Sequence, residues 1–365
     1  MKYLEEYRNL EATQSLLKQL RKLATRPWNI MEICGGQTHS LVRNGILEML
    51  PEHVRMIHGP GCPVCVTPVN LIDKAVALLE KGVIVCSFGD MIRVPGSKKS
   101  LQEAKSNGGD LRILYSPIEA VSIARQNPQK EVVFFAVGFE TTAPANALSV
   151  LHAEKEGLNN FSILTSHVLV PPAMEAILTD EFCKIDAFLA AGHVCAIMGI
   201  QEYYPLVARY KIPIVVTGFE PLDLVQGIYM AVNQLEKGEA KLENQYARVV
   251  KPEGNKAAKD VIKKVFEVGD REWRGIGKIP NSGYVVTPAY KKYDAAAKFD
   301  IEHLQSPENQ LCIAGEILKG IKKPHQCSQF GNVCKPANPL GAPMVSSEGA
   351  CAAYYHFAQQ PNVKI

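Results

Sequence analysis

Ten cysteines are spread along the 365 residues, and seven of them fall into three arrangements suited to redox or metal chemistry. Cys34 stands in Glu32–Ser40, E-I-C-G-G-Q-T-H-S. The two glycines after it leave room for a bulky group to reach the sulfur. Backbone N–H groups at a helix start are expected to favour the thiolate over the thiol. Gln37, Thr38 and His39 add three hydrogen-bonding side chains within one turn. The alternative is a small buried cysteine beside a tight glycine turn. Cys62-x-x-Cys65, in H-G-P-G-C-P-V-C from His58, has the spacing of a dithiol redox pair, with half of a zinc site as the competing use. The third set is Cys312, Cys327, Cys334 and Cys351, separated by 14, 6 and 16 residues. Four thiolates converging from irregular backbone suit a [4Fe–4S] cluster or a tetrahedral zinc. The short paired knuckles usual in structural zinc sites are missing, which favours iron–sulfur; unrelated thiols are the third alternative. Cys86, Cys183 and Cys195 have no partner at ligand spacing and read as structural.

These residues need elements to hold them. The apolar run Trp28–Ile33 reads as a buried strand, and Leu41–Leu50 has apolar residues at helical spacing. Cys34 is therefore expected where a strand ends and a helix begins, the edge at which open α/β sheets bind ligands. Val54–His58 reads as the next strand, Val69–Glu80 as a helix and Val83–Phe88 as a third strand, so the order implies a parallel sheet. If the first two strands are neighbours, Cys34 and the Cys62/Cys65 loop share one end of it. Asp90 and Arg93, in the following loop, are candidates for binding an anion or steering a partner, with an ordinary solvated loop as the alternative. Further strands are expected at Arg112–Tyr115, Val132–Val137, Ser162–Ser166, Val194–Met198 and Ile214–Val216. Two of these are followed by the same triplet, Gly138-Phe139-Glu140 and Gly218-Phe219-Glu220, an echo of one turn type. From about Leu222 the pattern becomes helical, with helices over Val225–Glu236 and Lys256–Val268 and a loop at Trp273–Gly277. Tyr3–Ala24 reads as an amphipathic helix that packs on another domain.

The totals exclude several classes. Forty basic residues against 37 acidic leave a charge of +3, and no basic tract is interleaved with aromatics, so nucleic-acid binding is not indicated. No run reaches the roughly 18 apolar residues of a membrane span, and the first residues lack the apolar core of a secretory signal. A reducing cytoplasm is expected, where cysteine clusters serve metal or redox chemistry more often than structural disulfides. There is no G-x-x-x-x-G-K-[ST] phosphate loop, which argues against a P-loop ATPase.

C-G-G-Q-T-H at Cys34, G-P-G-C-P-V-C at Gly59, G-F-E-T-T at Gly138 and the spacing of the last four cysteines together resemble the HypD family, the iron–sulfur proteins of [NiFe]-hydrogenase maturation, nearly end to end. The resemblance implies two similar parallel-sheet α/β domains and a third, mainly helical and irregular domain that binds the cluster. Divided on that basis, residues 1–28 are an N-terminal helix packing on the third domain, 29–120 and 121–225 the two α/β domains, and 226–365 the [4Fe–4S] domain. It further implies a scaffold formed with the small chaperone HypC, on which a transient iron acquires cyanide and carbon monoxide before transfer to the hydrogenase large subunit. Cyanide would come from HypE, charged by HypF. Cys34 would be an iron ligand, Cys62 and Cys65 the electron-passing dithiol, and Cys312, Cys327, Cys334 and Cys351 the cluster ligands. His39 would tune the Cys34 thiolate. His193 and Glu348 are candidates to protonate or hydrogen-bond groups near the iron or cluster, with ordinary structural roles as the alternative. Alanine at Gly35 or Gly36 is expected to obstruct the site.

Two other functions compete. A cluster-linked protein disulfide reductase would use Cys62 and Cys65 and leave the Cys34 motif as structure. A Cys34–His39 acyl- or carbamoyl-transferase would use the cysteine as nucleophile.

Overall fold

The computed structural model describes residues 5–358. In chain order its strands are β1 (Trp28–Glu32), β2 (Val54–His58), β3 (Ile84–Ser87), β4 (Leu111–Ile113), β5 (Val132–Gly138), β6 (Phe161–His167), β7 (Ala187–Ala191), β8 (Ile214–Thr217), β9 (Leu242–Asn244), β10 (Phe266–Trp273) and β11 (Gly277–Val286). They form two parallel sheets, in the orders β2-β1-β7-β8-β9 and β4-β3-β5-β6, and an antiparallel hairpin of β10 with β11. The central strands β3, β5, β6, β7 and β8 are buried along their whole length, as parallel strands covered by helices on both faces must be.

The architecture is the expected α/β pair of parallel sheets, but strand membership differs from a contiguous reading. β3 belongs to the second sheet, because the helix Val69–Glu80 carries the chain away from β2 and across to it. The first sheet is completed by β7, β8 and β9, so the strands of the second sheet lie inside the first in sequence. A cut at 120/121 therefore falls within the second sheet. Val194–Met198 is not a strand; it lies in the helix Gly192–Met198 that follows β7. A short apolar run of that kind fits either element by composition. The region after Leu222 also holds β9, β10 and β11, whose strands carry many charges because much of the hairpin is exposed.

In each sheet the strand order reverses once, between β1 and β7 in the first and between β3 and β5 in the second. Loops leaving the carboxyl ends there diverge and open a crevice. Cys34 follows β1 and His193 follows β7, so both stand at the first reversal. A buried cluster containing Met31, Cys34, Cys62, Cys65, Phe139, Val168 and Trp273 links the first sheet, the ends of the second and the hairpin.

The N-terminal helix runs over Leu10–Leu23 and is capped by the Asn9 side chain. It buries Leu17 and Leu20 among Leu224, Val225 and Ile228 of the helix Pro221–Glu236. It thus joins the layer over the first sheet rather than the cysteine-bearing segment. Residues beyond 295 form short helices, Ala295–Lys298, Ala314–Leu318 and Ala350–Ala353, separated by turns. The last of these packs on the helix Gly35–Arg43.

Candidate functional site

Cys34 is the N-cap of the helix Gly35–Arg43, with extended backbone. Its position is set from two sides. The Gly59-Pro60-Gly61 loop presses on the end of β1: Gly59 N–H donates to the Glu32 carbonyl at 2.9 Å, and Gly35 N–H to the Gly61 carbonyl at 2.9 Å. A side chain at Gly61 would run into the Cys34 backbone. On the other side Glu348 crosses over Gly35 so closely that a Cβ there would sit 2.6 Å from the Glu348 carbonyl oxygen. Gly36 is next to the sulfur itself, its Cβ position lying 3.7 Å from Cys34 Sγ and 3.4 Å from the Phe219 ring.

His193 faces the thiol, with Nε2 at 3.7 Å and Nδ1 at 3.9 Å from Sγ. Its ring stacks on Phe219, centroids 4.9 Å apart. Burial lowers the His193 pKa to about 4, so the ring is neutral at pH 7. Burial pushes the Cys34 thiol well above the usual thiol range, and the negative charge of Glu348 adds to the rise. Backbone N–H groups of Gln37 and Gly36 pull the other way. The helix start therefore acts in the expected direction, but burial outweighs it and the free sulfur is held as a thiol. A cation arriving at the sulfur would supply the charge that the site withholds.

Beneath Cys34 lies a buried polar network that the motif reading missed. Glu32 accepts the Cys34 N–H at 3.0 Å, the Thr38 hydroxyl, and His58 Nδ1–H at 2.7 Å. His58 Nε2 meets the Tyr354 hydroxyl at 3.1 Å. Burial raises the Glu32 pKa against the pull of these donors. The available signal was a carboxylate closing an apolar strand. Gln37 donates to Thr217 Oγ1 at 2.6 Å, tying the motif to the end of β8. Phe219, in the echoed G-F-E triplet, was the other missed wall of the site.

His39 does not reach Cys34. Its Nδ1–H donates to the Ser347 carbonyl at 3.0 Å and its ring meets Phe357 edge-on. It braces the loop that brings Glu348 over Gly35. Asp90 and Arg93 hold the same loop, through Ser346 Oγ at 3.1 Å and the Val345 carbonyl at 3.4 Å.

Cys62 and Cys65 are joined by a disulfide, with Cα atoms 5.2 Å apart. Both are buried, and Cys62 Sγ accepts the Cys65 N–H at 3.2 Å. The short helix Pro63–Val66 that carries Cys65 starts on Pro63, whose fixed φ suits a first helical position.

Cys312, Cys327, Cys334 and Cys351 line one cavity with Leu311, Ile317, Phe330 and Met344. Burial pushes the Cys351 thiol well up, and the charges of the other three sulfurs push it further. Gly341 lies hard against Cys312 Sγ, where a Cβ would enter the space beside the sulfur. Among the described residues no group of three His, Cys, Asp or Glu side chains is spaced to hold a metal ion. A tetrahedral zinc needs four sulfurs about 2.3 Å from one point. Four cysteines lining one apolar cavity are a donor set that suits a [4Fe–4S] cluster as well as a single tetrahedral ion.

The family model named HypD and described as "Hydrogenase formation hypA family" matches residues 11–358. The chain belongs to the HypD family. It is 45% identical over 370 residues to the hydrogenase maturation factor HypD of Azotobacter vinelandii, covering 99% of this chain and 98% of that one. It is 46% identical over 369 residues to HypD of Escherichia coli, covering 99% of each chain. HypD2 of Bradyrhizobium diazoefficiens is 46% identical over 370 residues, covering 98% of this chain and 97% of its own. In this HypD-family chain, then, the fold brings Cys34, His193 and Glu348 to one point and buries the Cys62–Cys65 disulfide in the same apolar cluster as Cys34. It sets Cys312, Cys327, Cys334 and Cys351 around a separate cavity and turns His39 toward Ser347. Cys86 and Cys195 are buried, with pKa values pushed up to about 12 by that burial. Among the described residues no helix is long and apolar enough to cross a membrane.

Proposed function

We propose that this chain is a hydrogenase maturation factor that holds an iron while it acquires cyanide and carbon monoxide, with Cys34 as the protein ligand. The supporting observation is the convergence of Cys34, neutral His193 and the Glu348 loop at the reversal point of the first sheet. Soft thiolate suits iron carrying strong-field ligands. Because the free sulfur keeps its proton, that proton leaves only as the iron binds, and His193 is within reach to receive it. Gly36 keeps the space beside the sulfur open, and Phe219 holds the His193 ring flat against one side of it.

Cys312, Cys327, Cys334 and Cys351 would hold a [4Fe–4S] cluster, which supplies one-electron transfer when bound. The Cys62–Cys65 disulfide takes two electrons and two protons to become a dithiol, and its burial beside Cys34 directs that chemistry toward the iron site. The same burial disfavours a general protein disulfide reductase, whose substrate must reach the sulfur. A Cys34–His39 transferase loses its base, because His39 is engaged by Ser347. The protein would act in the cytoplasm, with HypC as co-scaffold, HypE as cyanide donor with HypF upstream of it, and the hydrogenase large subunit as recipient.

The test is anaerobic co-purification with HypC, iron counting and infrared spectroscopy. Bands of iron-bound cyanide and carbon monoxide are the expected result. A complex with iron only in the cluster and no such bands, after co-expression with HypE and HypF, would refute the proposal.

A further inference from the structure

Glu32 and His58 close β1 and β2 and stand opposite each other in the register of the first sheet. Both are buried, Glu32 completely. His58 Nδ1–H donates to Glu32 Oε1 at 2.7 Å, since a carboxylate only accepts. In the neutral ring Nε2 is then the acceptor, and the Tyr354 hydroxyl stands 3.1 Å from it. The Tyr354 ring also meets the imidazole edge-on, centroids 5.4 Å apart. At the other end of this chain of bonds, Glu32 Oε2 accepts the Cys34 N–H at 3.0 Å and Oε1 accepts the Thr38 hydroxyl. The chain ends on a backbone N–H and a hydroxyl rather than on the Cys34 sulfur, so it fixes a position and carries no proton to the thiol.

Two of the three donors on Glu32, the Cys34 N–H and the Thr38 hydroxyl, belong to the turn that has to be placed. His58 is the donor that comes from outside it, and Tyr354 orients the His58 ring. Tyr354 belongs to the cysteine-bearing C-terminal segment. Glu348, Cys351 and Tyr354 follow one another three residues apart, so Cys351 stands between two residues that touch the surroundings of Cys34. Glu348 crosses over Gly35, and Tyr354 packs with Ala353 on Val42 of the helix that Cys34 caps. A buried carboxylate deprived of a fixed donor is costly, and the groups around it rearrange to restore one.

We propose that His58 and Tyr354 are positioning residues for Cys34: acting through Glu32, they hold its backbone at the reversal point of the first sheet, and Tyr354 makes that hold depend on the C-terminal segment. The bearing on iron rests on the reading of Cys34 as its ligand; the positioning does not.

The experiment is hydrogen–deuterium exchange of the anaerobically purified full-length protein, read by mass spectrometry on peptides covering Glu32–Ser40 and Val132–Gly138. Tyr354→Phe removes one oxygen and should speed exchange of the first peptide about tenfold. The second peptide, in the core of the other sheet, should be unchanged. His58→Asn keeps an N–H near the place of Nδ1 but cannot reach Tyr354. It should give the same acceleration, and the double variant no more than either single one. Native exchange of the first peptide in Tyr354→Phe, equal acceleration of both peptides, or additive effects in the double variant would overturn the proposal. If His58→Asn does not fold, Tyr354→Phe decides alone. In the complex with HypC, Tyr354→Phe should shift or broaden the cyanide and carbon monoxide bands, and bands of native position and width would overturn the proposal. A native complex without such bands would refute the iron reading instead, and the exchange rates would still decide the positioning.

Discussion

Gly35 and Gly36 are adjacent, yet alanine at the two positions should do different things. At Gly35 the new methyl would sit 2.6 Å from the Glu348 carbonyl oxygen and 2.5 Å from its Cβ. Ordinary contact begins near 3.4 Å, so the loop must retreat by at least 3.4 − 2.5 = 0.9 Å. That loop is pinned by His39 to Ser347 at 3.0 Å and by Ser346 to Asp90 at 3.1 Å, so retreat strains both bonds. Overpacking of this kind costs about 1–3 kcal/mol, or roughly 1–4 °C in melting temperature for a chain of this size. At Gly36 the methyl meets the Phe219 ring at 3.4 Å and Cys34 Sγ at 3.7 Å, which are tolerable contacts. Replacing a helical glycine by alanine gains about 0.5–1 kcal/mol, so Gly36→Ala should be near neutral in stability while narrowing the space beside the sulfur. Differential scanning fluorimetry with infrared spectroscopy of the HypC complex separates the two. Gly35→Ala should melt lower and lose the iron signature with its displaced loop. Gly36→Ala should melt normally and still lose or shift the bands. Equal melting temperatures in the two variants would show that the Glu348 crossing is not a tight constraint.

Cys34→Ser should keep the fold and the C-terminal cluster, since one poorly paired hydroxyl costs about 1–3 kcal/mol, yet abolish the cyanide and carbon monoxide bands; full bands in the variant would make Cys34 structural. Cys327→Ala should lose or destabilise the iron–sulfur chromophore, and a colourless native protein with stoichiometric zinc would contradict the assignment. His193 carries a sign that can be checked. The unfolded chain protonates it near 6.5 and the folded protein only near 4, so between those values the unfolded state binds more protons and stability rises with pH. The contribution is at most about 3 kcal/mol, complete above pH 6.5 and lost as pH falls toward 4. Urea midpoints at pH 4.5, 5.5 and 6.5 should rise more steeply for the native protein than for His193→Gln, and parallel curves would place the titration elsewhere.

Much of this was readable beforehand. β1, β2 and the helix Val69–Glu80 lie where their apolar runs placed them, because each is bounded by a strong punctuation: Pro27, the His58-Gly59-Pro60-Gly61 loop, Pro68 and Gly82. Cys34 at a strand-to-helix junction followed from the same pattern. Sheet membership did not, since nothing local to Ile84–Ser87 says which sheet will receive it; that is decided by where the crossover helix lands. Sequence points the Cys34 pKa the wrong way, because a local dipole is visible in sequence and burial is not. His39 was credited for its nearness along the chain, while His193, 159 residues away, is the ring at the sulfur. The hairpin β10–β11 is hidden in the sequence because its outward strand positions are charged and β10 begins directly after an amphipathic helix, whose apolar spacing runs on into Phe266 and Val268.

The nesting of one sheet inside the other bears on how the chain is made. β1 and β2 pair at once, but the open side of β1 meets β7 only after residue 187 has emerged, 187 − 58 = 129 residues past the end of β2. At about 5–20 residues per second that is an interval of roughly 6–26 s on the ribosome. Throughout it, the backbone of Ile30–Glu32 offers an unpaired edge flanked by large apolar side chains, a template for wrong pairing. The second sheet has all its strands by His167 and finishes first, an island that folds while its surroundings wait. Nascent chains stalled between about residues 100 and 180 are therefore the forms most exposed to aggregation and most dependent on a holding chaperone.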